Sequence, residues 1–96
     1  MELTEIFFRL RSFIKKQRGS YRFEINQSHS LQKDLGIYGL DAVEFLIDFG
    51  NEFNVDVSQF EAEKYFRPDG NYDPRIIYRE LTVGMLIESI NKGELK

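Results

Sequence analysis

The stretch Leu40-Asp41-Ala42-Val43-Glu44-Phe45-Leu46-Ile47-Asp48-Phe49-Gly50-Asn51-Glu52-Phe53-Asn54 decides the fold. Leu40, Val43, Leu46, Ile47 and Phe53 form one helical stripe, and Ala42, Phe45 and Phe49 widen it past half the circumference. An apolar arc this broad predicts a helix buried centrally among others. On the remaining face Asp41, Glu44, Asp48 and Glu52 follow at helical spacing and stack along one side. No Lys or Arg is interleaved within the helix, so nothing on it relieves the like-charge repulsion. Two readings stay open for the stripe: a solubilising surface, or a docking face for a protein partner with a basic surface.

Working outward, Ile6, Phe7, Leu10, Phe13 and Ile14 recur on one helical face, and Lys15, Lys16 and Arg18 precede Gly19, which predicts a first helix over 4–18. Its basic flank reads as a solvated face or as a surface for an acidic partner. Residues 20–34 alternate weakly and are rich in Ser and Asn. A lone strand there would be unstable, so the segment reads as a loop. Beyond the central helix, Ser58-Gln59-Phe60-Glu61 has the pattern of a capping box and predicts a short third helix from Gln59 to Phe66, stopped before Pro68. Residues 67–80 hold both prolines and read as an ordered loop. Its Tyr72, Ile76, Ile77 and Tyr78 either cover an apolar end of the bundle or present a binding surface. Thr82 caps a last helix through Val83, Leu86, Ile87 and Ile90, ending near Gly93. The expectation is an all-α, small four-helix bundle with an extended loop between its third and fourth helices. With 96 residues, 42% of them hydrophobic, it reads as a single domain over 1–96.

Residues 1–22 carry six Lys or Arg and two acids, while residues 23–96 carry seven and fourteen. Between Lys33 and Lys64 there is no base and there are eight acids, a block that repels phosphate backbones and argues against nucleic acid as a partner. The apolar clusters are broken by charge far short of the ~20 residues that span a bilayer, and no signal-peptide pattern opens the chain. No membrane insertion and a cytoplasmic location are therefore expected. The absence of Cys and the single His, His29, exclude thiolate and His-rich metal sites.

No catalytic set is complete, so no enzyme activity, cofactor or metal is expected. His29 stands in a polar loop between Ser28 and Ser30, which is not a nucleophile–base geometry. The acids of the central helix have no apolar pocket to separate their pKa values. Asp69, Asn71, Asp73, Ile76 and Glu80 do fall at calcium-loop positions 1, 3, 5, 8 and 12 of an EF-hand pattern. Position six, where the chain must turn sharply, is Pro74 rather than Gly, and Arg75 and Arg79 add positive charge. Calcium binding or calcium stabilisation over 69–80 remains an alternative to a polar turn.

Distributed over the chain is a further pattern. Ser30-Leu31-Gln32-Lys33-Asp34-Leu35-Gly36-Ile37-Tyr38-Gly39-Leu40-Asp41-Ala42-Val43-Glu44-Phe45 resembles the segment of acyl carrier proteins that leads into their second helix, where the family has Asp-Leu-Gly, a variable residue, then Asp-Ser-Leu-Asp. Phe53-Asn54-Val55-Asp56-Val57, Glu61-Ala62-Glu63-Lys64, and Leu81-Thr82-Val83 with Leu86, Ile87 and Ile90 continue the likeness, so that it covers about residues 30–66 and 81–91. The chain looks like a divergent acyl-carrier-like small domain of an uncharacterised bacterial type. Two departures matter. Gly39 stands where the family has the serine that takes the phosphopantetheine arm, with Tyr38 in place of the preceding acid, and the 67–80 loop is longer than the family's usual link. Neither Ser28, Ser30 nor Ser58 is placed to substitute, although a true carrier modified at another serine is the remaining alternative. The resemblance implies partner contacts at Leu40, Asp41, Glu44 and Ile47, to which the acidic stripe adds Asp48 and Glu52. Gly50 and Asn51 stand where the family often has further Glu. The expected function is a non-enzymatic, acyl-carrier-like interaction module without an attachment site, docking through its acidic second helix.

Overall fold

A computed structural model describes residues 3–70 and 73–96. Among these residues three α-helices form: α1 (Leu3–Arg18), α2 (Gly39–Phe53) and α3 (Val83–Lys92). The segment expected as a third helix is a single 3-10 turn, Ala62–Lys64, so the expected four-helix bundle is corrected to three helices and a turn, and the expected fourth helix is α3. The capping box fails because its two ends take other partners. Asp56 Oδ1 accepts from the Ser58 amide at 2.9 Å, closing a tight Asx turn, and the Glu61 carboxylate pairs with Lys64 Nζ at 2.6 Å instead of reaching back to Ser58. Nor do residues 59–66 offer an apolar stripe to bury. Phe66 alone among them is buried, with Phe60, Ala62 and Tyr65 partly covered.

The other helices follow their sequence signals. On α1 the buried residues are Ile6, Leu10, Phe13 and Ile14, and the Gly19 amide donates to the Lys15 carbonyl at 2.7 Å to close the helix. At the head of α3 the Met85 amide donates to Thr82 Oγ1 at 3.2 Å, and Gly93 ends the helix in the left-handed conformation at φ 82°. α1 packs directly on α3, and the Phe13 ring of α1 lies 5.4, 6.4 and 5.6 Å from Phe45, Phe49 and Phe53 of α2. This aromatic cluster joins the aliphatic side chains of α1 and α3 into one core.

The links contribute as much order as the helices. Residues 19–38 form no strand, yet Ile25, Leu31, Leu35 and Ile37 are buried in the core. Their backbone is pinned to the head of α3: Leu31 donates to the Leu81 carbonyl, Val83 to His29 and Gly84 to Gln27, all at 2.9–3.0 Å. His29 is half-buried, its Nδ1 accepting from the Asn26 amide and its ring 4.7 Å from Phe23, so it is not the freely solvated side chain its polar neighbours suggest. Among the described residues only two isolated bridges, Ser30 with Thr82 and Asp56 with Glu94, have β-type pairing. Among the described residues no helix is long and apolar enough to cross a membrane.

Candidate functional site

α2 starts without a cap of its own. Tyr38 precedes it in extended conformation and offers no side-chain hydrogen bond to the helix. The first amides are instead satisfied from residues 65–69, which cross the helix start as a strap. The Gly39 amide donates to the Arg67 carbonyl at 2.9 Å and the Leu40 amide to Asp69 Oδ2 at 2.9 Å, the service an N-cap carboxylate ordinarily performs from the adjacent position. Gln32 anchors the strap, its Oε1 accepting from the Arg67 amide at 2.6 Å and its Nε2 donating to the Tyr65 carbonyl at 3.2 Å. The Arg67 guanidinium also covers the Tyr38 ring at 3.6 Å from its centroid.

Position 39 is closed by this arrangement. Gly39 has φ +60°, a left-handed conformation that favours glycine, and a Cβ added there would overlap the Asp69 carboxylate. A serine there would have to displace the Asp69 carboxylate and hold a left-handed backbone. The other serines are elsewhere: Ser12 is exposed on α1 and Ser20 just beyond it, Ser30 is buried with its Oγ accepting from the Lys33 amide, Ser89 is buried and donates to the Leu86 carbonyl, and Ser28 donates to Asn26 Oδ1. Ser58 belongs to the Asx turn at the far end of α2. Beside Gly39 lies a largely apolar cleft of about 520 Å³, walled by Leu40, Ala42, Phe66, Ile76 and Tyr78, with Glu63 and Arg67 among its polar residues.

The broad apolar arc of α2 divides in two, which corrects its reading as a uniformly buried surface. Ala42, Phe45, Leu46, Phe49 and Phe53 face the core. Leu40, Val43 and Ile47 form a second stripe that is 62, 44 and 53% exposed, respectively. Next to it runs the acidic stripe, whose members differ in their surroundings. Asp41 pairs with Arg18 at 3.0 Å, and that guanidinium also donates to the Gly36 carbonyl. Asp48 and Glu52 share a groove of about 480 Å³ with Arg9 and Lys16 of α1. Glu44, adjacent to Leu40 and Ile47, makes no ion pair among the described residues. The bases that relieve the stripe therefore come from α1, across the helix interface, where a reading confined to α2 could not find them.

The 67–80 loop does not cover an apolar end with its isoleucines. Ile76 is exposed and Ile77 is 94% exposed, while Tyr78 is half-buried and Tyr72 lies outside the described residues. Nor are the calcium-loop residues drawn together. Asp69 caps α2, Glu80 pairs with Lys33 at 3.6 Å, and Asp73 accepts from Arg75 Nε and Nη2 at 3.1 and 3.0 Å. Those hydrogen bonds from Arg75 hold the Asp73 carboxyl below its ordinary pKa. Asn71 lies outside the described residues. Among those described, no three His, Asp or Glu side chains are grouped to hold a metal ion.

Comparison with known proteins points to the same class as the sequence pattern around residue 39. The chain is 35% identical over 60 residues to the acyl carrier protein of Thermotoga maritima, covering 62% of this chain and 74% of the carrier. It is 35% identical over 58 residues to the acyl carrier protein of Trieres chinensis, covering 60% and 72%. It is thus a small, helical, acyl-carrier-like protein. The chain belongs to the family described as "Protein of unknown function (DUF1493)", whose pattern matches residues 3–95.

Proposed function

We propose that this chain is a non-enzymatic, acyl-carrier-like interaction module that bears no phosphopantetheine arm and docks on a basic protein surface through α2. The observation that carries the reading is the outer face of α2, where Leu40, Val43 and Ile47 stand exposed beside Glu44 on a helix whose opposite face is fully packed. Exposed aliphatic side chains cost solvation in the free protein and gain it back when a partner covers them. The flanking acids select a basic partner and speed its approach. Their contributions differ in kind: Glu44 meets a partner directly, Asp41 must first exchange Arg18, and Asp48 and Glu52 act beside Arg9 and Lys16.

The test begins by capturing binding proteins from cells of the source organism and purifying the one retained. Against that partner, Leu40→Ala with Ile47→Ala weakens binding by about tenfold or more, the size expected of a central apolar contact. Glu44→Gln with Asp48→Asn slows association at low salt, and the loss shrinks as salt rises. A partner whose affinity ignores both pairs of substitutions and salt would overturn docking through α2 and move the binding surface to residues 73–80.

A further inference from the structure

The missing hydroxyl is only half of what closes position 39. Asp69 lies 29 residues from Leu40 in sequence, yet its carboxylate sits where a Cβ on Gly39 would be and accepts from the Leu40 amide. It is delivered by a strap held at Tyr65 and Arg67 by Gln32 and at Arg67 by the Gly39 amide. A negative group at the start of a helix is favoured by the helix dipole and by the amides that point out of the first turn. A serine-linked phosphate would supply a negative group just beyond a serine Cβ and Oγ at the same helix start.

We propose that Asp69 is the chain's own replacement for the arm: its carboxylate takes the room and the charge that a serine-linked phosphate would have at residue 39, and must be displaced before any side chain can stand there. What Asp69 replaces rests on the carrier-like reading above. The coupling between Gly39 and Asp69 stands on the geometry itself, independent of that reading. Restoring the hydroxyl at residue 39 would then carry a cost, because Gly39→Ser must displace Asp69 from its cap and adopt a left-handed backbone at once.

A double-mutant cycle on the full chain tests this, with Gly39→Ala, Asp69→Ala and the pair compared by denaturant unfolding. The left-handed backbone penalises alanine at 39 in both backgrounds, but the overlap exists only while Asp69 is present. The increase in the unfolding constant caused by Gly39→Ala is therefore expected to be at least about fivefold smaller in the Asp69→Ala background. Equal increases in the two backgrounds would overturn the proposal while leaving docking through α2 untouched. Should Gly39→Ala not fold, amide exchange decides with Asp69→Ala and Asp69→Asn alone. The Leu40 amide is expected to exchange at least about fivefold faster in both, and to lose more with Ala, which keeps neither acceptor nor shape, than with Asn. Unchanged exchange in both variants would overturn it.

Discussion

The starts of α2 and α3 solve one problem in opposite ways. Each helix must satisfy amides that no preceding turn can reach. α3 does so locally, with Thr82 accepting from Met85 three residues on. α2 does so at a distance, with Asp69 accepting from Leu40 across 29 residues. A local cap belongs to its helix and is present whenever the helix is. A remote cap makes the helix start depend on a separate segment, and here that segment also fills the position where acyl carriers bear their serine. The difference suggests that the start of α2 can be altered by anything that moves residues 65–69, whereas the start of α3 cannot.

Parallel substitutions near the two starts expose the contrast, and the largest effect is expected at the first residue of α2. Gly39→Ala combines a left-handed backbone with overlap on Asp69 and should cost roughly 2–4 kcal/mol. In α3 the corresponding Gly84→Ala places its Cβ 3.2 Å from the Gln27 carbonyl oxygen, tight but not overlapping, and gains helix propensity. It should fall within about 1 kcal/mol of the parent. Thermal unfolding reads both, since each kcal/mol moves the midpoint by roughly 4–8 °C in a domain of this size. Similar costs at the two glycines would remove the distinction.

The caps themselves come next. Thr82→Ala and Asp69→Ala should each cost about 0.5–2 kcal/mol, because each leaves a first-turn amide without its acceptor. They should part in salt. The Asp69 effect includes attraction between a charge and the helix dipole and declines as salt is raised, while the hydroxyl cap of α3 is indifferent. Two salt-independent losses would mean that Asp69 acts by hydrogen bonding alone. The smallest effect is expected from calcium. With Asp69, Asp73 and Glu80 on separate partners, millimolar calcium should raise the melting midpoint no more than magnesium does. A calcium-specific rise abolished by Asp73→Ala would mean that loop 73–80 reorganises around the ion.

What the sequence disclosed follows the same divide between local and remote. The spans of α1, α2 and α3 were legible because periodicity, Thr82 and Gly93 act within a few residues. The false third helix came from a capping pattern that is also local but competes with an equally local Asx turn at Asp56, and no buried stripe follows to tip the balance. Periodicity shows that α2 is apolar over a wide arc, but not which part of that arc meets the core, so that it places Leu40, Val43 and Ile47 with the buried residues, and only the resemblance to acyl carriers marks Leu40 and Ile47 as outward contacts. Arg18 with Asp41, 23 residues apart, and Asp69 with Gly39 and Leu40 have no local signature at all. Of the site, the resemblance to acyl carriers located position 39, while the residue that closes it emerged only from the fold.

Whether this acyl-carrier-like chain works without an arm is read from the intact mass of the full chain after incubation with a phosphopantetheinyl transferase and coenzyme A. An unchanged mass is predicted, under conditions in which an ordinary acyl carrier protein in the same tube is modified. A gain of one phosphopantetheine, located by fragmentation to any of its serines, would contradict it.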